Sequence, residues 1–179
     1  MLRIALAGLA FVCAVLPVGA ASAASIQDQA VYAAALIAGG NKIASKNHSL
    51  PWNGGYVPYS HGGGWGSRPG PSAGSDGVGV DCGGLTRWVY ALTDVGDVLK
   101  SPPGGQQENV KAFVTTTNPV PGDLVFFFHP GSSASHHVGI YVGSGKMIDA
   151  LTTGTVVRED PIGHAGERIV YKHYCIGCC

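Results

Sequence analysis

One cysteine of this chain has the surroundings that a nucleophilic thiol needs. Cys82 ends a stretch rich in glycine and is followed by apolar residues at the helical spacing i, i+3, i+4 and i+7, which are Leu85, Trp88, Val89 and Leu92. This spacing predicts that Cys82 lies at or just before the first turn of a buried helix. The free N–H groups and the positive dipole end of a helix favour negative charge, so the reactive thiolate is favoured there.

A histidine and an aspartate further along the chain supply the other residue types of a thiol-based site. His137 and Asp149 both lie in segments whose apolar residues alternate as in β-strands. A nucleophile, a base that takes its proton and a polar group that orients the base form the unit of nucleophilic catalysis. His136 directly precedes His137, and neighbours on a strand face opposite sides, so one of the two histidines can face Cys82.

The turn between the two strands decides whether His137 and Asp149 share a face of the sheet. We predict a three-residue turn over 143–145. The predicted pairs across this hairpin are Val142 with Lys146, Tyr141 with Met147, Gly139 with Asp149, and His137 with Leu151. In this register the two side chains lie one diagonal step apart on one face, whereas a two-residue turn would move Asp149 to the other face.

The elements that must position these residues follow an α+β pattern. Helices are predicted over 26–38, between a capping Ser25 and a terminating Gly39-Gly40, over 82–93 and over 106–113. Strands are predicted over 123–129, 137–142, 146–151, 155–157 and 168–174. Helices followed by an antiparallel meander of strands predict one α+β domain.

The stretch 53–80 contains ten glycines, so it cannot be regular structure throughout. It also carries Tyr59, His61, Trp65 and Arg68, which a flexible linker does not require. Long loops inside a compact domain are commonly functional. We therefore predict a loop that wraps around the cleft at Cys82, with a flexible linker as the alternative.

Residues 1–23 have the pattern of a secretory signal peptide, because a short positive start precedes an apolar run and a small-residue cleavage site. An uncleaved membrane anchor is the alternative. Cleavage after Ala23 would leave residues 24–179 as one domain, which we expect to be a secreted monomer without stable membrane association. The chain has eleven basic and eleven acidic residues and no basic run, so we expect no nucleic-acid partner.

The cysteines suggest one free thiol and a bridged tail. Cys82 is far in sequence from the other cysteines of the predicted mature chain, which are Cys175, Cys178 and Cys179. The simplest assignment leaves Cys82 free and pairs two of the three in the tail 175–179. Zinc would need about four ligands crowded into residues 173–179, so we expect no metal and no cofactor.

Five motifs in this order resemble the NlpC-type cell-wall cysteine peptidases, which are bacterial D,L-endopeptidases with a papain-like core. They are Pro58-Tyr59-x-x-Gly62-Gly63, Asp81-Cys82-Gly83-Gly84-Leu85, the runs 121–127 and 137–143, and Met147-Ile148-Asp149-Ala150. The match covers about residues 26–174. The resemblance implies helices packed on an antiparallel sheet of four to six strands, and hydrolysis of peptidoglycan stem peptides between D-glutamate and the diamino acid.

The resemblance also implies a role for each catalytic candidate. Cys82 would be the nucleophile, and His137, rather than an exposed His136, would be the base. Asp149 would orient the imidazole at a position where the family often has histidine. A carboxylate orients an imidazole well and stabilises its charged form, so this departure is compatible with activity.

The residues implied in substrate binding include two further departures from the family. Tyr59 would help to line the oxyanion hole, and Asp81 would face the stem peptide. Gly83 stands where the family usually has serine, so one hydrogen bond to substrate would be missing. His61 stands where an aromatic residue often follows Tyr59.

Two other functions are compatible with the same residues. A cysteine–histidine core could act as an amidase or acyltransferase on another substrate. The fold could also serve as a catalytically silent wall-binding module, in which case the protein would still be located outside the cell or at the cell wall.

Overall fold

A computed structural model of the protein describes residues 23–100, 107–163 and 166–177. The predicted signal peptide, apart from Ala23, lies outside these residues, as do Cys178 and Cys179. The helices are α1 (Ile26–Ala38), α2 (Cys82–Ala91) and a short 3-10 helix (Gln107–Asn109). The strands are β1 (Ser72–Gly74), β2 (Gly77–Gly79), β3 (Phe113–Thr116), β4 (Leu124–Phe128), β5 (His137–Gly143), β6 (Lys146–Asp149), β7 (Arg158–Pro161) and β8 (Arg168–Tyr174).

Helix α1 has the predicted bounds because local capping signals define both of its ends. Ser25 is the N-cap, and its hydroxyl accepts a hydrogen bond from the Asp28 N–H at 3.0 Å. The Asp28 carboxylate accepts in return from the Ser25 N–H at 3.1 Å, which completes a capping box. Gly39 forms the C-cap, as predicted.

Six strands form one antiparallel sheet in the order β3-β8-β4-β5-β6-β7. From β4 to β7 the sheet is the predicted meander. Strand β8 departs from a simple meander, because it returns to lie between β3 and β4. Two helices and a six-stranded antiparallel sheet confirm the predicted α+β class.

Strand β4 is buried on both faces and joins the two halves of the core. Leu124, Phe126 and Phe128 pack into the main core with α1 and α2. The alternating residues Val125 and Phe127 face a smaller apolar cluster. This two-sided burial explains the uninterrupted apolar run from Leu124 to Phe128, since period-2 alternation puts consecutive side chains on opposite faces.

Two predicted elements differ from the structure, and both concern edges of the sheet. The predicted helix over 106–113 is a single 3-10 turn within the described residues, because Phe113 begins strand β3 and pairs with Tyr174. The predicted strand over 155–157 is an isolated bridge between Val156 and Pro58. The true edge strand, β7, begins at Arg158, directly after the predicted strand. Its sequence is charged and has no buried apolar face from which a strand could be predicted.

Within the described residues, no helix combines the length and the apolar character needed to cross a membrane.

Candidate active site

The first turn of α2 fixes the position of Cys82. Asp81 is the N-cap residue in an extended conformation, and its Oδ1 accepts a hydrogen bond from the Gly84 N–H at 2.7 Å. The helix behind it is buried from Gly83 to Ala91. Cys82 is a half-buried free thiol at the helix N-terminus, as the apolar spacing predicted. Cys175 in the tail is disulfide-bonded.

The glycine-rich stretch runs alongside this helix terminus. The Ser60 N–H donates to the Val80 carbonyl at 2.9 Å, and the Val80 N–H donates to the Pro58 carbonyl at 3.1 Å. These bonds form a parallel bridge between Tyr59 and Val80, which places Tyr59 beside the segment that leads into α2. The stretch also contains the small hairpin of β1 and β2, which the sequence pattern did not predict.

Close backbone contact and a buried arginine fasten this stretch to α2. A side chain at Gly84 would place its Cβ 2.2 Å from the Gly63 carbonyl oxygen, so a glycine is required there. Arg87 is buried, forms a 2.8 Å ion pair with Asp97 and donates to the carbonyls of Gly64 and Gly66. Sequence reasoning missed Arg87, because no local motif shows which carbonyls a helical arginine will meet.

The turn of the β5–β6 hairpin differs from the prediction. Gly143, rather than Val142, pairs with Lys146. The turn therefore has two residues, Ser144 and Gly145, not three. Both have positive φ, as a type I′ turn requires.

A β-bulge compensates for the shorter turn. The register shifts between Tyr141 and Gly143, so β5 contains one extra residue. Tyr141 consequently pairs with Met147, as predicted. The bulge restores the face that a two-residue turn would have reversed, and His137 and Asp149 meet.

His137 and Asp149 form a short, buried hydrogen bond. The distance from His137 Nε2 to Asp149 Oδ2 is 2.6 Å, and the two side chains are 8% and 0% exposed. Gly139 contributes space, because a Cβ there would lie 3.0 Å from the Met147 sulfur and 3.3 Å from the Asp149 Cβ.

The environment of His137 favours its protonated form. Burial lowers the pKa of His137, but hydrogen bonds to Asp149 and Cys82, together with their negative charges, raise it overall to about 9. Because Nε2 is bonded to Asp149, Nδ1 is the ring nitrogen left for the thiol. A pKa raised in this way favours the imidazolium, which suits His137 to stabilise an adjacent thiolate.

Cys82 and His137 line a cleft of about 310 Å³. Its walls are Tyr59, His61, Trp65, Asp81, Cys82, Gly83, Phe126, Ser135, His136, His137 and Val138. Every predicted site residue therefore lines the cleft except Asp149, which lies buried behind His137. Arg68 is not among these residues, since it donates to the carbonyls of His48 and Ser49 at 2.7 Å.

A larger cavity of about 590 Å³ lies against α1 and is lined mainly by apolar residues and lysines. Cys82 does not line this cavity. The candidate site is therefore identified by the residue types that line it and not by the size of the cavity.

The motifs around this cleft agree with the profile of one protein family. The NlpC/P60 family profile matches residues 56–176, which contain Cys82, His137 and Asp149. The chain belongs to the NlpC/P60 family.

Relatives of this NlpC/P60 chain are named as peptidases. Peptidoglycan endopeptidase RipB of Mycobacterium tuberculosis is 40% identical over 114 residues, which cover 62% of this chain and 44% of RipB. RipA of the same organism is 39% identical over 115 residues, covering 62% and 22%. The gamma-D-glutamyl-L-lysine dipeptidyl-peptidase of Bacillus subtilis is 36% identical over 88 residues, covering 45% and 27%. The chain thus spans less than half of these relatives.

Solved structures show the same fold. RipB of M. tuberculosis superposes with a TM-score of 0.55 at 31% identity, covering 84% of this chain and 67% of RipB. RipD of M. tuberculosis, described as a non-catalytic NlpC/p60 protein adapted to peptidoglycan binding, superposes with a TM-score of 0.58 at 24% identity. That match covers 84% of this chain and 98% of RipD and shows the shared fold alone. The α+β architecture is that of the papain-like NlpC/P60 domains.

In this NlpC/P60 domain the Asp81 carboxylate bonds extensively within the protein. Besides capping α2, it accepts from the Trp65 indole N–H at 2.9 and 3.0 Å and from the Gly62 N–H at 3.2 Å. Asp81 lines the cleft, as expected for a residue facing substrate, but its hydrogen bonds give it a structural role. It caps the helix of the nucleophile and anchors Trp65.

The ring of Trp65 occupies the volume next to Gly83. A Cβ at Gly83 would lie 2.6 Å from Trp65 Cζ2, so the serine common in the family does not fit unless the ring moves. Gln107 also contacts Gly83, donating from Nε2 to its carbonyl at 2.9 Å and accepting from the Thr86 hydroxyl at 2.6 Å. Sequence reasoning missed Gln107, whose role depends on a contact between distant segments.

Tyr59 presents a phenol to the cleft. Burial and the negative charges of Cys82 and Asp81 raise the pKa of Tyr59 above its ordinary value. Its hydroxyl therefore stays protonated and can donate a hydrogen bond to a developing anion.

Proposed function

We propose that this protein is a cysteine peptidase that hydrolyses peptidoglycan stem peptides, at the bond between D-glutamate and the diamino acid. The observation that carries the proposal is that His137, held by a 2.6 Å hydrogen bond to the buried Asp149, lines the same cleft as Cys82, which begins α2. Names of relatives support the substrate class, since RipB and RipA are named peptidoglycan endopeptidases and the B. subtilis relative is named for a D-glutamyl-lysine bond.

The proposed reaction begins with attack of the Cys82 thiolate on the amide carbonyl. The electron pair of the sulfur forms the C–S bond, and negative charge develops on the carbonyl oxygen. His137 then gives its proton from Nδ1 to the departing amine as the C–N bond breaks. Water, deprotonated by the now neutral His137, hydrolyses the thioester and regenerates the thiol.

Donors at the start of α2 are suited to the developing oxyanion. The first N–H groups of a helix lack intrahelical acceptors, and they concentrate positive potential beside Cys82. The Tyr59 hydroxyl is the second candidate donor, because it shares the cleft and stays protonated. Removing one donor of this kind typically costs about 3 kcal/mol of barrier.

The cellular setting belongs to the same proposal. Residues 1–23 are proposed as a cleaved signal peptide and residues 24–179 as one catalytic domain with a cysteine-rich tail. A monomer exported in this way would act outside the cell or at the cell wall, where its substrate lies. N-terminal sequencing of protein from culture medium tests cleavage after Ala23.

Mass spectrometry of muropeptides after incubation with the protein tests the activity. Fragments cut after D-glutamate, absent with the Cys82→Ala variant, are expected. Intact muropeptides with a Cys82 that alkylates normally would contradict the peptidase. Retained binding of peptidoglycan by both proteins would then favour a wall-binding module, whereas transfer of an acyl group to an added amine would favour an acyltransferase.

A further inference from the structure

We propose that His129, His136 and Glu167 form a binding site for a divalent transition-metal ion such as Zn²⁺ at the rim of the cleft. The ligand atoms of the three side chains all lie within 4.8 Å of one another. Two imidazoles and one carboxylate are a donor set that suits zinc and other late first-row ions. None of the three is a residue of the proposed reaction.

The fold of the sheet brings these residues together. His129 follows β4, His136 precedes β5 and Glu167 precedes β8. The last residues of β4 pair with the first residues of both β5 and β8, so the three positions meet at one end of three adjacent strands. The site is therefore built on paired strands rather than on independent loops.

The distances from the carboxylate to the two imidazoles are close to those around a tetrahedral ion. Glu167 Oε1 lies 3.1 Å from His136 Nε2 and 3.6 Å from His129 Nδ1. Metal–ligand bonds of about 2.0–2.1 Å in tetrahedral geometry separate ligand atoms by about 3.4 Å. The two imidazole rings are parallel, with centroids 3.8 Å apart. Because an imidazole nitrogen binds a metal in the plane of its ring, one of the two rings must rotate for both to bind the same ion.

The carboxylate lacks a complete set of partners without an ion. The Glu167 side chain is 14% exposed, and its buried Oε2 has no hydrogen-bond partner among the described residues. A buried, incompletely bonded carboxylate oxygen is costly, and a cation would satisfy it. The neighbouring Arg168 does not supply the missing partner of Glu167 Oε2, because it lies over the Phe128 ring and donates to the Ser132 carbonyl.

The site has an open position and a direct link to the cleft. Three protein ligands leave a fourth place for water or for a ligand atom from substrate. His136 also lines the cleft beside His137. A bound ion would hold the His136 side chain and thereby fix one part of the cleft wall.

Isothermal titration with Zn²⁺ tests the site, on protein purified without an affinity tag and carrying Cys82→Ala to remove a competing thiolate. One ion per chain is expected. His129→Ala and Glu167→Gln, each in that background, should weaken binding at least about tenfold, as losses around metal sites commonly do. Glu159→Gln is the matched control, since Glu159 is an exposed carboxylate paired with Lys146 on an edge strand. Thermal melts check that each variant is folded.

Several outcomes would overturn the site. Equal Zn²⁺ affinity in all variants would place the ion elsewhere, and the absence of any binding at millimolar Zn²⁺ would remove it. Co²⁺ substitution adds a spectroscopic test. A thiolate-to-cobalt charge-transfer band would assign the ion to cysteines of the tail, whereas a spectrum without that band, lost in His129→Ala, supports the proposed ligands.

Discussion

Two histidine–aspartate pairs in this protein share their chemistry but differ in their neighbours and in burial, since the side chain of His137 is 8% exposed and that of His173 is 37% exposed. His137 lies 2.6 Å from Asp149, and His173 lies 2.8 Å from Asp123. Both aspartates are fully buried, and each pair joins neighbouring strands of the sheet. The first pair lies at the end of β4 that meets the start of α2, and the second lies at the opposite end of β4.

The difference is what surrounds each imidazole. His137 shares the cleft with the Cys82 thiol, whose proximity helps to raise the pKa of His137. The His173 ring instead contacts the Gln27 amide of α1 at 3.3 Å, and the other oxygen of Asp123 accepts from the Val120 N–H at 2.9 Å. A histidine that is hydrogen-bonded to a carboxylate therefore does not by itself indicate a catalytic site. A thiol at a helix N-terminus and an accessible cleft distinguish the proposed catalytic pair.

Asp149→Asn should have the largest effect on hydrolysis. The amide cannot stabilise the charged imidazole as the carboxylate does, so kcat/KM should fall by about 10²–10⁴-fold. Steady-state hydrolysis of a synthetic stem peptide measures it. Asp123→Asn makes the same chemical change at the other pair and should stay within about threefold of the wild type. Equal losses in the two variants would mean that activity reports folding rather than orientation of His137.

Activity should also fall as the pH rises past the pKa of His137, about 9. The imidazolium is the form that pairs with thiolate and donates to the leaving amine, so kcat/KM should drop about tenfold per unit above that pH. Since the folded-state pKa is raised above the ordinary 6.5, the stabilisation from protonated His137 is complete below 6.5 and is lost as pH rises through about 9.

A pH series of kcat/KM locates this descending limb. In Asp149→Asn the limb should move to lower pH, because a hydrogen bond and a negative charge that raise the pKa of His137 are gone. A limb that stays in place would show that another group controls it.

Gly83→Ser should reduce hydrolysis about tenfold by displacing Trp65, whose ring leaves 2.6 Å for the new Cβ. Trp65→Ala in the same chain should recover part of the loss by making space. Gly163→Ser is the control, since a Cβ at Gly163 meets no atom of the described residues within 4 Å. Steady-state kinetics measures the loss of hydrolysis, and tryptophan fluorescence reports the displacement of the Trp65 ring. Full activity in Gly83→Ser would show that the ring moves freely.

Asp123→Asn should act mainly on stability. Its carboxylate accepts hydrogen bonds from Val120 and His173 in a buried position, so weakening them should cost about 1–3 kcal/mol of unfolding free energy. Urea unfolding monitored by circular dichroism gives the value. An unchanged midpoint would contradict this prediction and would show that the cost of burying the carboxylate, which raises the pKa of Asp123, outweighs its hydrogen bonds.

Elements with local signals could be predicted from the sequence. Helix α1 has a capping box and a glycine terminator, and the bounds of β8 agree with its alternating pattern. The edge strands β3 and β7 were missed, because half-exposed strands have weak patterns and depend on a partner. The predicted turn between β5 and β6 was one residue too long. The length of this turn and the bulge in β5 both depend on how the two strands pair, which the local sequence does not show.

Periodicity and capping, which act over a few residues, were enough to predict the α+β class and the helix that begins at Cys82, and residue types and motifs were enough to name His137 and Asp149. Tertiary packing produced the remaining features. It inserted β8 between β3 and β4, used a bulge to turn Asp149 toward His137, and packed Trp65 against Gly83. These outcomes depend on contacts between segments far apart in the chain, where packing and register choose among arrangements that are locally equivalent.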